Sequence, residues 1–217
     1  MFVSRYMSKP VVGIRPHTPL SEIRELLQSR RFRHLPVLDE QNKLVGMVTD
    51  RDLRSAFPTA LMTEEERSRY HERFARMTAR EIMTDAVHIL DERATLDDAL
   101  LLFDKNRVGA IPVVDKNGRV EGILSVRDLL AAYRKLFGLG EKGSRLIAVQ
   151  DDGLPKILSR LAAALENEEI PFTRIVKGCE TEEEAAGKCI YIRVHTFNSS
   201  HVRKVLEKAG FSLVASG

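Results

Sequence analysis

The sequence predicts an α/β (α+β) protein: two copies of one small mixed module, then a third unit of a different kind. Three observations predict it. The first two thirds match themselves without a gap at an offset of 76 residues. Within each copy, helix-spaced and strand-like hydrophobic runs alternate. From about Ser144 the repeat is gone, and a new order of elements, βαββαβ, takes its place. A chain of 217 residues, 43% hydrophobic and 30% charged, has the size and balance for two or three small globular domains.

Self-similarity at a fixed period is the strongest feature. The offset places Met7 on Met83, Val11 on Val87, Leu20 on Leu96, Leu26 on Leu102, Pro36 on Pro112, Asp39 on Asp115 and Gly46 on Gly122. Arg51, Asp52 and Leu53 fall on Arg127, Asp128 and Leu129, and conservative pairs such as Leu35 with Ile111 fill the spaces. Each copy opens with an extended piece, Val11 to Ile14 or Val87 to Leu90. A helix follows. In the first copy Thr18 is expected to cap it, with Pro19 at the first helical position, where a missing N–H costs nothing. Leu20, Ile23, Leu26 and Leu27 mark its inner face. In the second copy Thr95 and Asp98 form an acidic capping box ahead of Leu96, Ala99, Leu100 and Phe103.

A strand comes next, Leu35 to Leu38 or Ile111 to Val114, with Pro36 or Pro112 inside it. Proline cannot donate to a ladder, so it marks an edge or an interruption and leaves room for a cleft beside the strand. A turn follows, clearer at Asp115-Lys116-Asn117-Gly118 than in the first copy. A second strand, Leu44 to Val48 or Val120 to Leu124, then runs into a second helix. Between the copies, residues 58–76 read as an exposed helical insertion opened by the capping box Thr63-Glu64-Glu65-Glu66, with His71 and its arginines on a solvated face.

In the last third, Arg145 to Gln150 reads as a strand and Lys156 to Leu165 as an amphipathic helix with Ile157, Leu158, Leu161 and Leu165 inward. Pro171 to Val176 and Cys189 to His195 are strands, separated by a polar connection at Glu180 to Glu184. Asn198 or Ser199 caps a helix carrying Val202, Val205 and Leu206 that stops at Gly210. Phe211 to Ala215 is the last strand. This order gives a four-stranded antiparallel sheet with both helices on one face.

Composition narrows the function. The net charge is +3, with 34 basic and 31 acidic residues spread along the chain. No dense basic run or basic recognition helix points to nucleic acid. Cys179 and Cys189 lack the spacing of a redox or zinc site and read as reduced structural thiols. No apolar stretch is long enough to span a membrane, and the N-terminus lacks the apolar core of a signal peptide, so a cytoplasmic protein is expected. His17, His34, His71, His88, His195 and His201 show no metal-ligand spacing, so no metal is expected. No nucleotide-phosphate loop, dinucleotide fingerprint or nucleophile motif occurs, so neither catalytic residues nor a catalytic cofactor is expected.

Two segments carry candidate chemistry: Gly46-Met47-Val48-Thr49-Asp50-Arg51-Asp52 and Gly122-Ile123-Leu124-Ser125-Val126-Arg127-Asp128. Each puts a hydroxyl at the end of a strand and an aspartate three residues on, one turn into a helix and on the same side. A carboxylate can accept both hydroxyls of a ribose. The Thr49 or Ser125 hydroxyl and the first N–H groups of the helix can meet a sugar or phosphate. Arg51 and Arg127 can add charge-assisted contacts to phosphate. Each hydroxyl–aspartate pair is also an ordinary helix cap. Two copies at equivalent places, each behind a proline-interrupted strand, weigh toward a ligand.

On these motifs the chain from about Met7 to Leu136 resembles a tandem pair of CBS domains. The resemblance implies two modules packed through their sheets about a pseudo-two-fold axis, leaving two clefts that take AMP, ADP, ATP, NAD or S-adenosylmethionine. It also implies association into a homodimer and regulation of a target protein. By position, Thr49, Asp52, Ser125 and Asp128 become ribose contacts. Val12, Ile14, His88 and Leu90 flank the base, and His34 and Ala110, two residues before Pro36 and Pro112, line the clefts.

The last third resembles an ACT domain, a ferredoxin-like fold, on Asp151-Asp152-Gly153-Leu154-Pro155. Asp152, Gly153 and Leu154 would then be candidate amino-acid contacts, although the proline here follows the glycine. The architecture is similar to that of bacterial acetoin-utilisation B type proteins. The expected boundaries are 1–76 for the first CBS domain, 77–140 for the second and 144–217 for the ACT-like domain. Three functions compete: a non-catalytic sensor of an adenine-containing nucleotide, an amino-acid sensor working through the last domain, and a ligand-free dimerisation scaffold.

Overall fold

The computed structural model describes residues 1–56, 63, 74–178 and 188–214. Most of the insertion at 58–76, with Glu64 to Glu66 of its capping box and His71, therefore lies outside the described residues, as do Cys179, the run Glu180 to Glu184 and Ala215. The chain divides into two compact units, Met1–Ala131 and Ala132–Gly217.

In the first unit, α1 (Leu20–Arg30) is followed by the hairpin β1 (His34–Leu38) and β2 (Leu44–Thr49), then by the short α2 (Asp50–Ser55). After a brief α3 (Ala79–Ile82), the order repeats: β3 (Leu90–Asp91), α4 (Leu96–Asn106), β4 (Ala110–Val114), β5 (Val120–Ser125) and α5 (Val126–Leu136), which runs on past the end of the unit. The two hairpins share one register and one irregularity. His34 faces Thr49 as Ala110 faces Ser125, and the pairing slips between Val37 and Leu38 as it does between Val113 and Val114. Their turns are also alike. Asp39 Oδ1 accepts from the N–H groups of Gln41 and Lys43 (2.9 and 2.8 Å), and Asp115 Oδ1 from those of Asn117 and Arg119 (2.8 and 2.9 Å).

The extended openings expected at Val11 and Val87 are shorter than the sequence suggests. Ile14 makes a single parallel bridge to Val37, and its equivalent Leu90 starts a two-residue strand beside Val113. Pro16 explains why the first stays shorter: in the second copy the Glu92 N–H donates to the Val114 carbonyl at 3.2 Å, and its equivalent Pro16 has no N–H to offer. Helix caps also differ. The Thr95–Asp98 capping box forms, whereas Pro19 takes the N-cap position and the Thr18 hydroxyl oxygen accepts from the Arg15 N–H at 2.9 Å instead. Leu100, expected on the inner face of α4, is 46% exposed, because Leu96, Ala99 and Phe103 already fill that face.

The two copies exchange their leading segments. Residues at the start of the first copy hydrogen-bond to the second, and residues 77–84 return the same bonds to the first. Leu96 N–H donates to Met1 C=O (2.9 Å) as Leu20 N–H donates to Met77 C=O (3.0 Å), and Val3 N–H donates to Ala94 C=O (2.8 Å) as Ala79 N–H donates to Thr18 C=O (2.9 Å). Ser8 pairs with Ile123, and Thr84 with Met47. Lys43 bridges to Arg119, its own equivalent, so the pseudo-two-fold axis passes between them. The exchange explains a glycine in each candidate motif. A Cβ on Gly46 would stand 2.7 Å from Met83 Sδ, and one on Gly122 would stand closer still to Met7 Sδ. These glycines admit the methionine of the other copy.

In the second unit, β6 (Ser144–Gln150), α6 (Ile157–Glu166), β7 (Phe172–Lys177), β8 (Cys189–His195) and α7 (Ser199–Lys208) follow in order. The antiparallel sheet has the order β6-β8-β7, and Leu213 bridges Val149 on the remaining edge of β6. Only that bridge represents the expected last strand among the described residues. Ile147, Val149, Ile190, Ile192 and Val194 pack with Leu161, Leu165, Val202 and Leu206 in one core, so both helices cover the same face. Leu158, expected inward, is 40% exposed. Asn198 caps α7, its Oδ1 accepting from the His201 N–H at 3.0 Å.

Candidate functional site

A cleft of about 690 Å³ opens in the first unit, between the end of β2 and the segments that lead into β3 and β4. Its size falls within the range of small-molecule sites, roughly 300–1,000 Å³. The register of the first hairpin builds one wall. His34 lies across the ladder from Thr49, and the Asp50 N–H donates to the Arg33 carbonyl at 3.0 Å. The other wall comes from the second copy: Thr84, Ala86, Val87 and His88 on one side, and Arg107, Val108, Gly109 and Ala110 on the other.

Thr49 and Asp52 form a complete capping box. The Thr49 N–H and hydroxyl both donate to Asp52 Oδ2 at 2.7 Å, and the hydroxyl oxygen accepts from the Asp52 N–H at 3.3 Å. Ser125 and Asp128 repeat it at 2.9, 2.6 and 3.2 Å. Capping and ligand binding are thus compatible. One carboxylate oxygen holds the cap, and Oδ1 of either aspartate accepts no hydrogen bond from a described residue. A rigid carboxylate with one oxygen in reserve suits a hydroxyl-bearing ligand.

Arg54 is ion-paired with Asp50 at 2.6 Å. His34 lies against the Gly109 backbone, where a Cβ would come within 2.9 Å of its Nε2. Burial, reinforced by the neighbouring Arg33 charge and only partly opposed by Asp52, pushes the His34 imidazole below its usual range, so it is a neutral group near pH 7.

Six residues expected from the sequence meet in this cleft: His34, Thr49, Arg51, Asp52, His88 and Ala110. Ile14, Pro36, Leu90 and Pro112 are instead buried, and Val12 packs on the core of the first copy. None of these five lines the cleft: Pro36 and Pro112 lie within β1 and β4, and Ile14 and Leu90 pair with those strands at Val37 and Val113. Ser125, Arg127 and Asp128 stand at the equivalent end of β5 and are not among the residues that line this cleft, although Ser125 faces Ala110 across the ladder. Sequence reasoning missed Arg33, Asp50, Arg54 and Arg107. Arg107 could have been found, since it repeats Arg31 at the offset; Arg33 could not, since its equivalent is Gly109.

In the second unit, Asp152 holds Arg160, whose Nη2 donates to both carboxylate oxygens at 2.8 and 2.6 Å, and it also accepts from the Leu154 N–H at 2.9 Å. Gly153 N–H donates to Asp151 Oδ1 at 3.0 Å, and Lys177 Nζ lies 2.6 Å from Asp151 Oδ2. The hydrogen bond from Lys177 and that from Gly153 hold the Asp151 carboxyl below its ordinary range. The turn's carboxylates and N–H groups are therefore committed to one another. Among the described residues no cluster of metal-ligating side chains occurs, and no helix is long and apolar enough to cross a membrane.

Two repeats related by a pseudo-dyad, with paired hydroxyl–aspartate caps and a cleft walled by both, define a tandem module. The CBS domain profile matches residues 3–59 and 79–135, together more than half of the chain, and the protein belongs to the CBS domain family. It is 31% identical over 130 residues to a CBS domain-containing protein of Dictyostelium discoideum, covering 60% of this chain and 89% of that one. It is also 31% identical over 119 residues to inosine-5'-monophosphate dehydrogenase of Aquifex aeolicus, covering 55% of this chain but only 22% of that enzyme. Among solved structures, CBSX2 in complex with AMP matches with 25% identity and a TM-score of 0.53 over 62% of this chain and 97% of that one. The CBS domain pair of MJ0100, in complex with 5'-methylthioadenosine and S-adenosyl-L-methionine, matches with 26% identity and a TM-score of 0.52, over 63% and 98%. A protein of Vibrio cholerae described as an acetoin utilization protein shares the fold at 23% identity and a TM-score of 0.54, over 65% and 96%.

Proposed function

We propose that this protein is a non-catalytic regulator that binds an adenine-containing nucleotide in the CBS pair and transmits occupancy through conformation or dimerisation. The observation that carries this reading is the cleft itself, which gathers Thr49, Asp52, Arg51, His34, His88 and Ala110 from both copies. Its ligand would touch both copies at once. Binding therefore favours one relative arrangement of the two, to the extent that affinity differs between arrangements. The complexes of AMP with CBSX2 and of adenosyl compounds with the MJ0100 pair support adenosine as the shared element. Ser125 and Asp128 form a second candidate ribose contact. We take the second unit as an ACT-like relay, a reading supported by its sheet order and its one-sided helices. The commitment of Asp152 to Arg160 speaks against amino-acid capture at that turn. Calorimetric titration of the full chain with AMP, beside Asp52→Ala and Asp128→Ala, tests the assignment. Loss of heat with Asp52→Ala is expected, and full retention in both variants would refute it.

A further inference from the structure

The second copy turns a helix face to solvent that the first copy does not have. On α4, Leu100 is 46% exposed and Leu101 68%, and on α5 Leu130 is 63% exposed. The repeat offset sets these three on Arg24, Glu25 and Arg54 of the first copy. There the face is polar. Arg24 and Arg54 line one shallow groove between α1 and α2, and Arg54 is ion-paired with Asp50 at 2.6 Å. Both faces lie in the first unit and on the same elements of the repeat, so the fold of a copy does not require leucine at these positions. Adjacent exposed leucines mark a surface for association.

The charges around Leu101 say what covers it. Asp97, Leu101 and Lys105 follow at four-residue spacing on α4 and are all exposed, so they form one stripe. Its ends carry opposite charge and its middle is apolar. About a two-fold axis through Leu101, with the two helices antiparallel, the stripe fits itself: Leu101 meets the partner's Leu101, and Asp97 meets the partner's Lys105. The equivalent stripe on α1 is Ser21, Glu25 and Ser29. Turned on itself, it sets Glu25 against the partner's Glu25, with no cation on the stripe to offset the repulsion. Setting α1 on the partner's α4 instead covers the Glu25 carboxylate with leucine and leaves it unpaired, which is costly.

We infer that two chains associate second copy to second copy, α4 against α4, with Leu101 on the two-fold axis and Leu100 and Leu130 beside it. A CBS pair implies association but not which copy meets which; here the charge pattern of α1 and α4 decides it. The pairing stands independently of the nucleotide reading, since Asp97, Leu100, Leu101, Lys105 and Leu130 do not line the cleft.

The test is sedimentation velocity of the full chain over a range of concentrations, without nucleotide, beside Leu101→Glu, Leu101→Lys and an equimolar mixture of the two. Leu101 is exposed, so neither change enters the core, and thermal melts confirm that each variant folds. The unaltered chain should sediment as a dimer. Each variant alone sets like charges together on the axis and should raise the dissociation constant at least about tenfold. The mixture, which sets glutamate against lysine, should restore the dimer. A monomer at every concentration, a dimer that neither variant weakens, or a mixture no stronger than its components would overturn the pairing. If Leu101→Lys tightens the dimer while Leu101→Glu weakens it, the face rests on Glu25 of the partner's first copy, and second copy to second copy is wrong.

Discussion

Asp52 closes the cap on α2 through Oδ2, and its Oδ1 accepts no hydrogen bond from a described residue. Asp52→Ala should cost about 0.5–1.5 kcal/mol of stability through the lost half of the capping box, while the Thr49 hydroxyl keeps its bond from the N–H of residue 52, and on the proposed function it should also remove nucleotide binding. Thr49→Ser should retain both functions. Chemical denaturation with and without AMP separates the two effects. His34 gives a second expectation at this scale. Its pKa is lowered in the folded protein, so the unfolded chain takes up the proton more readily. Stability should then fall as pH drops below about 6.5, the ordinary histidine value, and the loss should level off below the folded value. His34→Gln should flatten that part of the melting-temperature profile between pH 7 and 5; an unchanged slope would exclude His34 as the source. The hydroxyl–aspartate pairs were legible in the sequence because the chemistry of a cap and its spacing are local. Arg33 was not, because only the hairpin register brings it beside Asp50.

The two hairpins and their turns were legible element by element, since alternating apolar residues around Pro36 and Pro112, and aspartate at each turn, specify them locally. The extended openings are shorter than their composition suggests. Val11 to Ile14 has strand composition, but a ladder needs N–H groups to extend it, and Pro16 has none to offer. The glycines of the two motifs have a packing role, against Met83 and Met7. Gly46→Ala should clash with Met83, and Gly122→Ala with Met7, each costing roughly 1–3 kcal/mol by overpacking. Combining Gly46→Ala with Met83→Ala should recover part of that loss, whereas independent sites would simply add. A double-mutant cycle in urea measures the coupling.

Across the first unit, the exchange of leading segments makes each copy depend on the other. Val3 is fully buried and Met7 nearly so, both within a segment that bonds to the second copy. Deleting residues 1–8 should therefore destabilise the second copy, seen as loss of amide protection in β4 and β5 rather than in β1 and β2. Sequence offset alone revealed the repeat and could not reveal the exchange, because an offset says which residues are equivalent and not which ones touch. The exchange also sets the functional expectation, since the cleft has walls from both copies and a ligand there bears on the whole pair.

The most direct test of that expectation is the thermal unfolding midpoint of the full chain with and without an adenine nucleotide, in parallel with Asp52→Ala. At about a hundred times its dissociation constant, a ligand that binds only the folded state adds roughly 2.7 kcal/mol. A clear rise in the midpoint that Asp52→Ala abolishes is the predicted result. An unchanged midpoint with every adenine nucleotide, or a rise that Asp52→Ala leaves intact, would contradict the assignment of this cleft.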